Sequence, residues 1–537
     1  MKFLLKRGTL AAGVLILATL GAYIPAMRGG FIWDDNSYVT KNKTLTSGAG
    51  LGQIWLKPTA SPQYYPLVFS SFWLERQLWG LRPAGYHLVN VVLHAFGAVL
   101  LWHVLACLKV QGAWLAALMF ALHPVHVESV AWIAERKNVL SGLFYFASAL
   151  CLIRFYGLNS KRVEIPYRWL WYGLGFVLFL CSLLSKTITF SLPGAIILLL
   201  WWKRGRVSWR EAMLLLPFFA LGLKFGLLTA WLERHHVGAF GLDWDLSFMD
   251  RVLIAGRALW FYTQKLVWPV ELMFNYPRWQ IDEGIWWQYL YPISVLVVVV
   301  VLWALRRRLG RGPFVGVSFF CGTLFPALGF VDVFPFRFSF VADHFQYLAS
   351  TGLIVLAVGG TIRLWDGWLR KSRQLAIAGA ALLIVSFFVL TWNQCQLYRN
   401  EETLWRDTIA KNPDSFLAHN NLGLKLVTYG KLQEAITHFS EALRIDPACV
   451  KAHYNMGIAL TKQGKLDAAI KHYQEALRIA PNYALAHYNL GLAYGSKGLR
   501  GLAFKEMRIA KRLSSRQQWK SIVSGTKGKK PSIPSHP

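Results

Sequence analysis

“HNNLG” (419–423), “HYNMG” (453–457) and “HYNLG” (487–491) stand 34 residues apart near the end of this 537-residue chain. The same step separates sets of alanines, glycines and prolines: Ala435, Ala469 and Ala503; Gly430, Gly464 and Gly498; Pro413, Pro447 and Pro481. A fixed period of this length predicts stacked helix–turn–helix units, with Gly and Ala where the two helices of a unit pack closely. We predict an α-solenoid of three units, at 416–449, 450–483 and 484–517.

The period and the residue types of these units resemble the tetratricopeptide repeat (TPR). Before them, “EETLWRDTIAKNP” (401–413) indicates the second helix of an incomplete unit, within a linking segment at 394–415. The basic tail at 518–537 is predicted to be disordered. A concave helical array suits an extended polypeptide, so we expect the repeats to bind an acceptor or partner protein.

The chain before residue 394 has the composition of a membrane protein. Hydrophobic residues make up 55% of the whole sequence, charged residues make up 16%, and the mean hydropathy is +0.35. Apolar runs of membrane-spanning length recur through 1–393. We predict an all-α fold with about eleven spans, near 10–27, 88–107, 112–130, 138–157, 168–184, 187–202, 211–231, 287–305, 313–330, 347–365 and 374–392.

The net charge of +31 comes largely from short loops between apolar segments: “KRGRVSWR” (203–210), “RRRLGRG” (306–312) and “RKSR” (370–373). Such loops orient a protein in its membrane, and they argue against nucleic acid as the partner. The segment 251–272 carries Arg257 and Lys265 and is predicted to be interfacial or re-entrant. With an uncleaved first span, the basic loops are cytoplasmic and the repeats are periplasmic, or lumenal in an endoplasmic reticulum. The six scattered cysteines predict neither a disulfide framework nor a zinc site.

Two adjacent carboxylates, Asp34 and Asp35 in “FIWDDNSYVTKN” (31–42), follow the first span. One interpretation is structural: Asp35 caps a helix and Asp34 is a solvated loop residue. The other is chemical: one carboxylate takes a proton from an acceptor hydroxyl, or holds a divalent cation beside a lipid phosphate. No residue pattern makes a cofactor certain. We favour the chemical interpretation, with Asp35 as the base.

Other polar residues cluster at the predicted outer ends of spans. His87, Asn90 and His94 lie at helical spacing, and they could equally be packing hydrogen bonds between helices. “ALHPVHVESVAWIAERKNVLSG” (121–142) adds a second polar set: His123, His126, Glu128, Glu135, Arg136 and Lys137. Pro124 disrupts the register that a zinc site would need.

Several of these outer residues are cations, which opposes the usual charge bias of membrane proteins. An anionic phosphate is the simplest reason for cations at that face. We predict that Arg136, Lys137, Lys186 and Arg337 bind it. The supporting residues are predicted to be His87, His94, His123, His126, Glu128, Asp343 and His344.

These segments together resemble the membrane O-mannosyltransferases that carry C-terminal TPR units. The resemblance rests on 31–42, “YYPLVFSSFWLERQLWGLRPAGYHLVNVVLH” (64–94), “FALHPVHVESVAWIAERKNVLSGLFYF” (120–146), “SKTITFSLP” (185–193) and “VADHFQYLAS” (341–350). It implies a C-type glycosyltransferase (GT-C) fold and a sugar donor on a membrane polyprenyl phosphate. It also implies that Asp34 and Asp35 are catalytic and that Glu128, Arg136 and Lys186 face the donor phosphate.

The chain departs from that family at two places. Tyr64-Tyr65-Pro66-Leu67 stands where Y-R-P-L is frequent, and Ala342-Asp343-His344-Phe345 stands where A-D-R-Y is frequent. Two other functions stay open at this stage. One is a transferase of the same fold that acts on lipid or cell-wall glycan, and the other is a non-catalytic membrane scaffold for the repeats.

Overall fold

The computed structural model describes residues 2–158, 167–239, 241–368 and 373–515, with residues 519 and 523. Its regular structure is helical and includes no strand within those ranges, which confirms the all-α prediction. Two compact units divide the chain, 1–400 and 401–537. The predicted boundary at 393 therefore falls inside a helix, Arg373–Leu397. The loop around Arg370, and the predicted tail apart from Trp519 and Val523, lie outside the described residues.

The first unit is a helical bundle interrupted by short loops and single helical turns. Its α-helices are α1 (Lys2–Ala22), α2 (Gly48–Leu56), α3 (Pro66–Trp79), α4 (Pro83–Cys107), α5 (Ala113–Leu122), α6 (Val127–Ala131), α7 (Arg136–Phe155), α8 (Arg168–Leu183), α9 (Leu192–Arg204), α10 (Trp209–Met213), α11 (Leu216–Leu232), α12 (Phe248–Val267), α13 (Leu290–Ala304), α14 (Gly312–Leu324), α15 (Ser350–Trp368) and α16 (Arg373–Leu397).

Five helical segments of the described chain are long and apolar enough to cross a membrane: Pro83–Cys107, Ile133–Phe155, Trp209–Val237, Trp286–Arg307 and Gln374–Leu397. A sixth candidate is the broken pair Ala113–Leu122 and Pro124–Ala131, which bends by 54°. Other predicted spans coincide with shorter apolar helices: Gly8–Ala22, Arg168–Leu183, Gly312–Ala327 and Ser350–Leu364. The 13 residues of α9 extend about 20 Å, less than a membrane core of about 30 Å. Five or six spans are thus supported, and the count of eleven is not confirmed.

The helix α12 is amphipathic and is not among these candidate spans. A capping box at Ser247 and Asp250 fixes its first turn. The Arg257 guanidinium lies 4.5 Å from the ring centre of Trp279, so the charge within the helix is covered by an aromatic face.

The second unit consists of α17 (Glu401–Lys411), α18 (Phe416–Thr428), α19 (Leu432–Ile445), α20 (Val450–Lys462), α21 (Leu466–Ile479), α22 (Ala484–Ser496) and α23 (Arg500–Leu513). Consecutive helices from α18 onward form three antiparallel pairs, in agreement with the 34-residue period. A Cβ atom added at Gly457 would lie 2.5 Å from the Tyr473 ring, so this glycine is required where the helices of one pair cross.

The glycines at 430, 464 and 498 have another role than the predicted close packing. They lie in the turns between paired helices, with φ of +77°, +78° and +77° and open space around them. Left-handed backbone favours glycine because other residues carry a Cβ atom that crowds it. Their period therefore comes from turn geometry, while the buried Ala435, Ala469 and Ala503 occupy helix-packing positions.

Candidate active site

The loop after α1 is fastened by Trp33, which has an unusual left-handed backbone with φ of +40°. Its ring stacks on Trp132 at a centroid distance of 5.5 Å and meets Phe274 edge-on at 5.3 Å. These contacts hold the two following carboxylates against the break between α6 and α7.

Asp35 is fully buried and braces the backbone. Its Oδ2 accepts a hydrogen bond from the N–H of Ile32 at 2.9 Å, and its Oδ1 accepts one from the N–H of Ala134 at 2.7 Å. A carboxylate with both oxygens engaged by buried N–H groups has no open route to an incoming hydroxyl. This geometry argues against the predicted role of Asp35 as the base. It favours a structural role, but a different one from the predicted cap, because the Asp35 side chain makes no capping bond to the helical turn that follows it.

Asp34 is the more accessible member of the pair, because it is only half-buried. Its main-chain carbonyl accepts hydrogen bonds from the N–H groups of Ser37 and Tyr38, each at 2.9 Å, which begins the turn Asn36–Thr40. Its charge also acts on Tyr38. Burial raises the pKa of the Tyr38 phenol, the Lys137 ammonium opposes that rise, and Asp34 adds to it.

The Arg136 guanidinium is enclosed by protein partners, which argues against its predicted contact with the donor phosphate. It is fully buried, and its guanidinium forms an ion pair with Glu75. Its Nε donates to Asn90 Oδ1 at 2.7 Å, and a terminal nitrogen donates to the Tyr86 carbonyl at 2.7 Å. The Phe72 ring covers it at 4.7 Å. Arg136 thus ties α3 and α4 to the start of α7, and no surface remains for a phosphate.

Lys137 and Lys186 do come together, on the two oxygens of buried Glu135. The Lys137 ammonium lies 2.7 Å from Glu135 Oε1, and the Lys186 ammonium lies 3.5 Å from Oε2. Lys186 also donates to Asn138 Oδ1 at 2.7 Å. Burial lowers the pKa of the Lys186 ammonium to about 8, although Glu135 acts in the opposite direction. We call Glu135, Lys137, Asn138 and Lys186 the lysine cluster.

His344 and Glu128 border the lysine cluster. His344 Nδ1 lies 3.0 Å from Glu128 Oε1, and its Nε2 lies 3.9 Å from Glu135 Oε1. The main-chain N–H of His344 donates to Glu128 Oε2 at 2.9 Å. Asp343 is turned to another partner, since its Oδ1 accepts from the Tyr276 hydroxyl at 2.9 Å. The predicted supporting role of Glu128 and His344 therefore has a geometric basis.

Arg337 pairs with a surface carboxylate. Its Nε lies 3.4 Å from Asp243 Oδ2, and the side chain is about one third exposed. Arg278 approaches the same carboxylate at 3.8 Å. These contacts place Arg337 in a surface group centred on Asp243, so its predicted phosphate contact stays a prediction.

The four predicted histidines are buried in the helical core. His94 bonds the Tyr347 hydroxyl at 2.8 Å, His123 bonds the Leu266 carbonyl at 3.0 Å, and His126 bonds the Ser350 hydroxyl at 2.9 Å. His87 packs against the turn at Gly29, where an added Cβ atom would lie 3.2 Å from Nε2. These imidazoles hold helices together, which is the packing alternative, and none of these contacts joins the lysine cluster.

Sequence reasoning missed a polar chain on the other side of Tyr38. The Tyr38 hydroxyl donates to Gln63 Oε1 at 2.6 Å, and Gln63 Nε2 donates to Glu233 Oε1 at 2.8 Å. Lys137 lies 5.3 Å from the Tyr38 ring centre, which links this chain to the lysine cluster. Glu233 is a buried carboxylate at the end of an apolar helix. An acidic residue at the end of an apolar helix is a signal in the sequence that could have indicated this polar chain.

The described residues do not bring three His, Cys, Asp or Glu side chains close enough to hold a metal ion. Asp34 and Asp35 do not form a chelating pair either, because Asp35 is committed to backbone N–H groups. The candidate active site therefore consists of Asp34, Tyr38, the lysine cluster and its neighbours Glu128 and His344.

Together, the fold and the site define an all-helical protein with apolar helices of membrane-spanning length and a C-terminal repeat array. The TPR repeat family model matches residues 425–464 and 457–498. Similar curated proteins include the human protein O-mannosyl-transferase TMTC1, at 26% identity over 81% of this chain and 55% of the relative. The Caenorhabditis elegans protein O-mannosyl-transferase F38B6.6 is 24% identical over 81% of this chain and 62% of the relative. The human protein O-mannosyl-transferase TMTC3 is 23% identical over 82% and 52%.

The predicted resemblance to TPR-bearing membrane O-mannosyltransferases is thereby confirmed. The chain spans about half to three fifths of the length of these relatives. A solved structure of MamA is similar at 24% identity over 28% of this chain and 90% of that chain, with a TM-score of 0.20. A TM-score this low carries no argument about the fold.

Proposed function

We propose that this chain is an integral-membrane glycosyltransferase that moves a sugar from a polyprenyl-phosphate donor to Ser or Thr hydroxyls of proteins. The names of the relatives favour mannose as the sugar. One observation carries the proposal: a half-buried carboxylate, Asp34, and the Lys137 ammonium both act on Tyr38, and Glu135 joins Lys137 to the buried Lys186. A base next to an enclosed cationic site suits the attack of a neutral hydroxyl on a phosphate-activated sugar.

The reaction transfers one glycosyl group. The acceptor hydroxyl oxygen forms a bond to the anomeric carbon, while the bond from that carbon to the donor phosphate oxygen breaks. The hydroxyl proton goes to the Asp34 carboxylate, and the bonding electrons leave with the polyprenyl phosphate. Lys137 and Lys186 stabilise the negative charge that grows on the leaving phosphate, in a buried setting where such attraction is strong.

Glu135 holds the two ammonium groups in position before the donor binds. The formal charges of Lys137 and Lys186 are offset by those of Glu128 and Glu135, so these side chains do not form a buried excess of like charge. A donor phosphate adds negative charge beside this set. His344 lies against both carboxylates, 3.0 Å from Glu128 Oε1 and 3.9 Å from Glu135 Oε1.

A divalent cation was an open alternative for the carboxylate pair. The described residues present a single accessible carboxylate at this loop and no three-ligand group. Asp34, Lys137 and Lys186 are the groups of this chain that the proposed transfer uses.

The membrane orientation belongs to the same proposal. The basic loops at Lys203 and Arg306 support a cytoplasmic position for that end of the helices, with the repeats on the opposite face. An impermeant thiol reagent tests this on intact cells that express a variant with a new cysteine at exposed Lys451. Labelling before lysis supports the orientation, and labelling only after lysis contradicts it.

The activity test uses membranes that contain the full chain, polyprenyl-phosphate mannose or glucose with a labelled sugar, and a panel of Ser- and Thr-containing peptides. We expect transfer from the mannosyl donor to a hydroxyl peptide, and transfer lower by about two to four orders of magnitude with the Asp34→Asn variant. Transfer to lipid or glycan alone would favour the other class of transferase. No transfer with any donor, by protein of normal melting temperature, would favour the scaffold alternative.

A further inference from the structure

A cavity of about 610 Å³ opens where three apolar helices end, away from the lysine cluster. The C-termini of α9 and α13 and the N-terminus of α14 surround it. Lys186 precedes α9 and the cavity follows it, so the helix separates the two places by about 20 Å.

Tryptophan and arginine dominate the lining of this cavity, and no lining residue is acidic. Trp201 stacks on Trp303 with ring centres 5.4 Å apart and planes at 17°. Indole rings favour the boundary between hydrocarbon and water. A stacked indole pair of this kind is suited to the level of lipid headgroups.

Two guanidinium groups are held in fixed positions against this wall. Arg306 lies 4.1 Å from the Trp303 ring centre and donates to the Trp303 carbonyl at 2.6 Å. Arg311 lies 5.4 Å from the Trp201 ring centre and donates to the Trp201 carbonyl at 3.4 Å. A guanidinium has five N–H donors, so one carbonyl bond leaves others for a ligand. No carboxylate of the described chain is within ion-pair distance of Arg306, Arg307 or Arg311.

Gly205 permits this arrangement at the end of α9. Its φ is +78°, and a Cβ atom there would lie 2.4 Å from a terminal nitrogen of Arg311. Only a glycine both adopts this backbone easily and leaves room for the guanidinium. The backbone at Gly205 thus fixes the position of the Arg311 guanidinium at the cavity.

An apolar surface leads from the cavity along α13. The described α13 has no buried residue, and Leu296, Val297, Val300 and Val301 are 63%, 53%, 55% and 45% exposed. Acyl chains of a lipid would cover this surface while a headgroup occupied the cavity. A free inorganic anion would make no use of it.

We propose that this cavity is a binding site for the phosphate headgroup of an anionic phospholipid, separate from the glycosyl donor site. Arg306 and Arg311 donate paired N–H groups to the phosphate oxygens, Arg307 adds charge at the rim, and the tryptophans flank the glycerol backbone. The arginines alone could also bind free phosphate. We favour a phospholipid because its acyl chains would cover the apolar surface of α13.

The test is native mass spectrometry of the purified full-length protein with phosphatidylglycerol, phosphatidylcholine of the same acyl chains, or inorganic phosphate. We expect the wild type to retain one phosphatidylglycerol in preference to phosphatidylcholine. The Arg306→Gln/Arg311→Gln variant should bind it at least about tenfold more weakly, since each lost guanidinium removes a charge-assisted hydrogen bond. Arg308→Gln is the matched control, because this neighbouring arginine is exposed and does not line the cavity.

Three results would overturn the proposal. They are equal retention of both lipids by the wild type, equal loss in the Arg308→Gln control, and full displacement of phosphatidylglycerol by millimolar phosphate. Where the double variant fails to fold, Arg311→Lys takes its place. It keeps the charge but loses the planar fork, so we expect a smaller loss of affinity, and unchanged affinity would count against the site.

Discussion

Replacement of each adjacent carboxylate by asparagine should have opposite effects: Asp35→Asn should lower stability, and Asp34→Asn should lower turnover. In Asp35→Asn, the amide oxygen can still accept one hydrogen bond, but the amide nitrogen is a donor and faces the second backbone N–H. One buried N–H of Ile32 or Ala134 is then left without an acceptor. An unsatisfied buried group costs about 1–3 kcal/mol, and loss of the charged acceptor adds to it. We expect the free energy of unfolding to fall by about 2–4 kcal/mol.

Asp34→Asn should do the reverse. The side chain is half-buried at the loop surface, so stability should change by less than about 0.5 kcal/mol. Loss of a general base should lower turnover by about two to four orders of magnitude. The measurements are thermal unfolding in detergent and initial rates of sugar transfer at saturating donor, both on protein matched for expression.

The two variants serve as controls for each other, since both remove one charge from the same loop. A normal rate in Asp34→Asn would refute its role as the base. A large loss of turnover in Asp35→Asn with an unchanged melting temperature would show that the buried carboxylate takes part in chemistry, against its hydrogen bonding.

Three further predictions concern the lysine cluster, the buried ion pair and the repeats. Because burial lowers the pKa of Lys186 to about 8, kcat/KM should fall as pH rises through about 8, and Lys186→Arg should move that fall to higher pH. The free energy of unfolding should instead rise between pH 8 and 10.5, because Lys186 is then protonated in the unfolded state but not in the folded state. A wild-type kcat/KM that does not change with pH around 8 would contradict the role of the Lys186 ammonium in transfer. Arg136→Gln should cost about 3–5 kcal/mol of stability by leaving Glu75 uncompensated, and adding Glu75→Gln should restore part of it; additive losses in unfolding experiments would argue against the pair. Deletion of 416–537 should raise the KM for a protein acceptor and spare kcat for a short peptide, and loss of both activities in folded protein would contradict a binding role for the repeats.

The repeat array was the most predictable part of the fold, because the residues that define each unit are close together in the sequence. Each unit needs a small residue at the helix crossing and a glycine in the turn, and both requirements act within one unit of 34 residues. The membrane unit was less predictable. Apolar composition locates helices, and Pro124 marked one break, but the sequence did not show that α9 is only 13 residues long.

The candidate site shows the same limit at single residues. The sequence marked the loop of Asp34 and Asp35, but it could not show which carboxylate points inward. The deciding contact comes from Ala134, 99 residues further along the chain. Likewise, nothing local connects Tyr38 with Gln63 and Glu233, whose hydrogen bonds span 25 and 170 residues.

Arg136 and Lys137 were both predicted to bind a phosphate, because a cation in an apolar setting needs an anion. The structure gives Arg136 an anion from the protein itself. An anion for such a cation need not be a ligand. Neighbouring helical residues point about 100° apart, since an α-helix has 3.6 residues per turn. Arg136 consequently turns to Glu75 on α3, while Lys137 turns to Glu135 and the Tyr38 ring. The Arg136 ion pair fixes the start of α7, and that fixed start holds the Lys137 ammonium between Glu135 and the Tyr38 ring.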